Sequence, residues 1–70
     1  MKVYPNPTTD KVLVECEGMT LVEVFTVDGK LLRKLEPDAS LIRIEGLDAG
    51  VYTLRIVKGD RVLVRRVVKF

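Results

Sequence analysis

The sequence has no histidine, no tryptophan, one cysteine and only four aromatic side chains in seventy residues. Each shortage removes a class of function. Histidine is the usual proton carrier at neutral pH. Without it, a catalytic site would have to assemble nucleophile, base and orienting group from carboxylates and hydroxyls alone. A single cysteine cannot form an intrachain disulfide. One cysteine with no histidine cannot close a tetrahedral zinc site. Asp10, Asp28, Asp38, Asp48 and Asp60 all stand at turn positions, but nowhere with Asp-x-Asp-x-Asp spacing. Aspartate at a turn hydrogen-bonds its own backbone, a stronger reading here than an adventitious ion site. Paired carboxylates for glycoside cleavage need a cleft, and so short a chain has little room for one. No cofactor is expected and no enzyme is read. Uncharged stretches are far shorter than the ~20 residues of a membrane span. Met1-Lys2-Val3-Tyr4-Pro5 holds no apolar core of a signal peptide, so export across an inner membrane would need a segment supplied ahead of it.

What is present suits one small domain, residues 1–70. Apolar residues make up 47% and charged residues 31%, the balance of a chain that folds. A chain this short buries only about 60% of its unfolded surface, so modest stability is expected. Charge is unevenly spread. Residues 1–50 carry six basic and nine acidic side chains, a net −3, whereas residues 51–70 carry six basic and one acidic, a net +5.

The apolar residues are largely β-branched and alternate with polar ones, the period of strands. Residues 11–16 (KVLVEC) put Val12, Val14 and Cys16 on one face. Cys16 there reads as a buried small hydrophobe, ahead of a thiol that bonds a partner. Residues 17–20 read as a turn. Residues 21–27 (LVEVFTV) form a second strand, with Val22 and Val24 alternating against Glu23 and Phe25. Asp28-Gly29 predicts a two-residue type I′ hairpin leading into residues 31–35. Residues 36–40 are a loop, and 41–45 (LIRIE) a short strand. In 46–50 (GLDAG) Leu47 is the apolar plug of a tight connection. Residues 51–58 (VYTLRIVK) place Tyr52, Leu54 and Ile56 together. Gly59-Asp60 is a second hairpin signal, and 61–69 (RVLVRRVVK) the last strand. Its rhythm breaks at Arg65-Arg66, where a β-bulge is expected. With a brief edge strand at Val3-Tyr4, the count is six to seven. Turn signals about 8–12 residues apart predict an all-β, small immunoglobulin-like antiparallel β-sandwich.

The basic last hairpin, with Arg55, Lys58, Arg61, Arg65, Arg66 and Lys69, has three readings. It can be a solvated face whose cations guard an edge strand. It can dock a protein or an anionic surface. It can bind nucleic acid, but that needs stacking aromatics among the cations, and only Tyr52 and Phe70 are near. An unguarded edge allows weak pairing of two copies. An adhesion or carbohydrate-binding module is the alternative on the same fold; four aromatics are few for the platform it needs.

The order of motifs is more specific than any one of them. "VYPNPTTDKVLVE", "VEVFTVDGKLL" and "LDAGVYTLRIVKGDRVLVRRVVKF" follow one another. This resembles the C-terminal sorting domain, type A, of the type IX (Por) secretion system of Bacteroidota, over residues 4–69. The resemblance implies the last domain of a larger secreted protein, with cargo fused on its N-terminal side. It implies an immunoglobulin-like sandwich recognised, when folded, by outer-membrane secretion machinery. It implies passage through the periplasm to the cell surface or the medium. It further implies removal of the domain by a sortase-like peptidase, with the cargo released or joined to surface lipopolysaccharide. The family's leader motif falls on Tyr4, Pro5, Asn6 and Pro7, its central turn on Gly29 and Lys30, and its C-terminal motif on Leu47, Gly50 and Tyr52. Arg55, Lys58, Arg61, Arg65, Arg66 and Lys69 are the expected contact surface for the secretion machinery. Cys16 and the final Phe70 lie outside the family pattern. The leader also reads as a stiff spacer before the first strand, since X-Pro segments hold neighbours apart.

Overall fold

The structure, a computed structural model, describes all residues from Met1 to Phe70. There are seven strands: β1 (Lys2–Tyr4), β2 (Val12–Glu15), β3 (Met19–Thr26), β4 (Leu31–Leu35), β5 (Leu41–Ile44), β6 (Gly50–Lys58) and β7 (Arg61–Lys69). They form two antiparallel sheets, ordered β1-β2-β5 and β4-β3-β6-β7. This is the immunoglobulin-like arrangement with the fourth strand moved to the second sheet. The shortest dimension is 15 Å, which holds two sheet layers and no deep cleft between them.

Alternation fills the core as the sequence predicts. Val12, Val14 and Cys16 from the first sheet meet Val22, Val24, Leu54, Ile56 and Val67 from the second. Ile44, Met19, Leu47 and Tyr52 close the ends. Cys16 is a buried, free thiol.

Four local readings are corrected. β3 starts at Met19, inside the predicted turn. A register shift between Met19 and Leu21 makes room for one extra residue. That bulge resets the phase, so that odd-numbered Met19 joins even-numbered Val22 and Val24 inside. At its other end β3 stops at Thr26, and Val27 is 74% exposed in the turn.

The turn itself is not type I′, which needs two positive φ angles, because no residue other than glycine has one. Instead the Gly29 N–H donates to the Thr26 C=O at 2.9 Å and the Thr26 N–H to the Lys30 C=O at 2.9 Å. The loop is three residues, Val27, Asp28 and Gly29, with Gly29 at φ +89° where a side chain would strain the backbone. Gly59-Asp60 is a two-residue turn with the glycine's positive φ first, the type II′ pattern.

Finally, no bulge occurs at Arg65-Arg66. β6 and β7 pair without a break from Gly50↔Lys69 to Lys58↔Arg61. The tight turn fixes that register and points Val62 and Val64 outward, where both are about half exposed. Leu63, Arg65 and Val67 take the inner side. The expected bulge came from the broken alternation at Arg65-Arg66, which in this register simply places one arginine on each face.

Candidate functional site

The leader is no spacer. β1 pairs antiparallel with β2, Val3 opposite Val14. The chain then bends and crosses to the other sheet, where Thr8 bridges Lys69 in parallel. Pro5 and Pro7 have no N–H to offer, and Asn6 between them supplies the missing pair. Its carboxamide has the donor and acceptor of a peptide group. Asn6 Nδ2 donates to the Arg66 C=O at 2.8 Å, and the Val68 N–H donates to Asn6 Oδ1 at 3.1 Å. Thr8 continues the ladder: its N–H donates to the Val68 C=O and its C=O accepts from the Phe70 N–H, both at 2.9 Å. Asn6 and Thr8 thus cover the C-terminal half of the edge of β7, and the chain from Tyr4 to Thr8 ties the sheets together.

Thr8 is the residue that sequence reasoning missed. It is the one buried polar residue, 2% exposed. Its Oγ1 donates to the Lys11 C=O at 2.7 Å and accepts from the Asp10 N–H at 3.2 Å. A threonine followed two residues later by aspartate is a local hydroxyl-turn signal that could have been read.

The central turn is held the same way. Thr26 Oγ1 accepts the Lys30 N–H at 3.1 Å and donates to the Asp28 carboxylate. That bond, helped by backbone hydrogen bonding and by the Lys30 charge, keeps the Asp28 carboxyl below its ordinary value of 3.8. The Lys30 backbone shapes the turn.

Leu47, Gly50 and Tyr52 form the third piece. Leu47 is buried as the expected plug. Tyr52 is buried at the start of β6, and its hydroxyl donates back to the Asp48 C=O at 2.6 Å. This is the geometry of the tyrosine corner of immunoglobulin-like sandwiches. The ring lies over Gly50, whose φ of +157° a side chain would rarely adopt.

These three pieces meet at one end of the four-stranded sheet. Thr26 lies opposite Tyr52, Tyr52 opposite Val67, and Gly50 opposite Lys69. Lys58 and Arg61 are at the other end, eight residues along β6 and about 26 Å away at 3.3 Å per residue.

The six cations of the last hairpin do not form one patch. Arg55 and Arg66 face outward, opposite Val64 and Thr53. Arg55 is already matched, its Nη1 2.5 Å from Glu23 Oε1 on β3. Lys58, Arg61, Arg65 and Lys69 take the inner side of the strands. Three of these, Lys58, Arg61 and Arg65, line an open groove of about 400 Å³ with Met1, Cys16, Glu17 and Leu63. Lys69 lies at the far end, its Nζ 3.4 Å from the Phe70 C=O. No three histidine, cysteine, aspartate or glutamate side chains come together as a metal site would require. The surface offers cations and backbone edges.

Fold and signature together define a protein-sorting module of the β-sandwich class. The family model described as the secretion system C-terminal sorting domain matches residues 2–69, and the chain belongs to that family, the sorting domains of type IX secretion. A search of curated proteins found no match.

Proposed function

We propose that residues 1–70 act as one C-terminal domain that carries an N-terminally fused cargo through the type IX system across the outer membrane. The folded domain is read in the periplasm by the outer-membrane machinery. A sortase-like peptidase then cuts it away, and the cargo stays on the cell surface or leaves the cell. The domain's own role is that of a signal, without catalysis.

The observation that carries this reading is the match over residues 2–69 to a family of sorting signals. The placement of the motifs refines it. Tyr4 to Pro7, Gly29, Lys30, Leu47, Gly50 and Tyr52 serve by maintaining the fold that is recognised. Recognition itself falls to the unmatched cations of the last hairpin: Lys58, Arg61 and Arg65 of the groove, and Arg66 on the outer face. Arg55, held by Glu23, contributes less.

The test is an export assay in a bacterium with this secretion system. Residues 1–70 are fused behind a signal peptide and a fluorescent reporter, and compared with the same fusion lacking residues 47–70. Reporter at the surface or in the medium only with the intact domain is the expected result. Periplasmic retention of both, with the intact domain folded, would refute the sorting role and return the adhesion-module reading to the lead.

A further inference from the structure

β7 is the last strand of its sheet and has β6 on one side only. Along such a strand alternate residues direct their N–H and C=O towards the neighbour and away from it. The leader shows which face away: it engages the Arg66 C=O, both backbone groups of Val68 and the Phe70 N–H. Even-numbered residues therefore face outward, and in unbroken register so do Val64 and Val62, which the leader does not engage. The Val64 C=O is covered by the guanidinium of Arg65, 2.8 Å away. The Val64 N–H and both backbone groups of Val62 stay open.

The other edges are guarded differently. β1 and β5 have three and four residues. β4 has five, pairs across a register shift, and turns its Arg33 inward to donate to the Glu45 C=O. β7 has nine residues in regular register, and only its C-terminal half is covered. Short length, bulges, covering and charged side chains block an edge. Of these the open half of β7 has only the charges, Arg61 and Arg65, which repel a cationic strand but attract an acidic one.

The side chains there specify the partner. An added strand would lie beside Val62 and Val64 on the outer face, and beside Arg61 and Arg65 on the groove face. We propose that an extended segment of a protein partner, apolar on one face and acidic on the other, adds to β7 as an eighth strand over residues 61–65. Backbone bonds hold such a strand and the alternating side chains give it specificity. A second copy of β7 would set arginines beside arginines, and like charges across strands repel. Where the partner belongs to the export machinery, this rests on the sorting role proposed above.

Backbone amide exchange at Val62 and Val64 tests it in the full chain. The probe is a short peptide alternating valine and glutamate, with a valine–lysine peptide as control. The expected result is exchange about tenfold slower at both amides with the acidic peptide only. No slowing, or equal slowing by both peptides, overturns the proposal. So does slowing that follows protein concentration without peptide, which would make a second copy the occupant. Val64→Pro removes an outward N–H while sparing the bonds to β6. It should abolish the peptide effect and stop export of a cargo fusion. If the wild-type fusion is exported and the folded V64P fusion is exported equally, the strand-addition proposal fails and the sorting role stands. If the wild-type fusion is not exported, the sorting role fails and the peptide result alone decides this one. Should V64P not fold, the wild-type exchange measurement still decides.

Discussion

The two ends of the four-stranded sheet are built on opposite plans. At one end the leader, the central turn and the tyrosine corner each close on backbone or side chains of the fold: Asn6 on β7, Thr26 on Asp28 and Lys30, Tyr52 on Asp48. At the other end, Lys58, Arg61 and Arg65 line an open groove with one carboxylate, Glu17, among them. The residues that make the chain recognisable in sequence are therefore not those most free to be recognised by a partner. A signature can be kept by what the fold requires, while the proposed reading surface is a short stretch of cations and backbone with a weak pattern of its own.

The contrast can be broken most severely at the closed end. Tyr52→Ala empties a core position and removes the corner bond, and should cost about 3–5 kcal/mol, measured by denaturant unfolding. Tyr52→Phe, which keeps the ring, should lose only about 1 kcal/mol. A loss for Phe as large as for Ala would mean that the hydroxyl, not the packing, dominates. Asn6→Ala removes two hydrogen bonds at an exposed edge and should cost about 1–2 kcal/mol, with faster amide exchange at Val68. Asn6→Asp keeps the acceptor for Val68 but loses the donor to Arg66, so it should fall between wild type and alanine. Unchanged exchange at Val68 in Asn6→Ala would show that the leader does not hold this edge.

The exposed arginines of β7 should respond in the opposite sense. Reversing Arg65 and Arg66 to glutamate should shift stability by no more than about 0.5 kcal/mol, because both are exposed. Export of a cargo fusion should nevertheless fail. A double reversal that folds and is exported normally would remove these arginines from the contact surface. The smallest effect belongs to Asp28. Its folded carboxyl titrates below 3.8, so its contribution to stability is present above that value and is lost as pH falls through the lower folded value. Thr26→Ala removes the first cause of the shift. NMR titration should then show Asp28 back near its ordinary range, and no change would reassign the shift to the backbone bond.

Much of this architecture was legible in the sequence, because period-two alternation and turn glycines act locally. Val12, Val14, Cys16, Val22, Val24, Leu54 and Ile56 declared the core face of their strands. Tyr52 follows the same rhythm, and Leu47 stands out as the one large apolar side chain of a tight connection. What escaped depended on register. Met19 sits inside only because a bulge shifts β3 by one residue. The phase of β7 follows from the length of the Gly59-Asp60 turn, whereas its valines, equally apolar on both faces, gave no direction. The splitting of the six cations between two faces follows from that phase. The leader's docking was illegible for another reason: Asn6 and its partners are separated by 60 and 62 positions, and no local pattern of a proline-flanked asparagine names a strand so distant.

That separation bears on the order in which the molecule is made. A polypeptide is synthesised from its N-terminus, so Asn6 and Thr8 emerge long before the residues that receive them. Six strands can assemble while the last is unfinished, but the clasp between first and last segments closes only when residues 66–70 are free of whatever channel they leave. Contacts this remote in sequence also slow folding, because the ends of a long loop must meet before anything rewards the meeting. The clasp therefore closes late: until residues 66–70 are in place, Asn6 and Thr8 have no partners there and the edge of β7 stays open along its length.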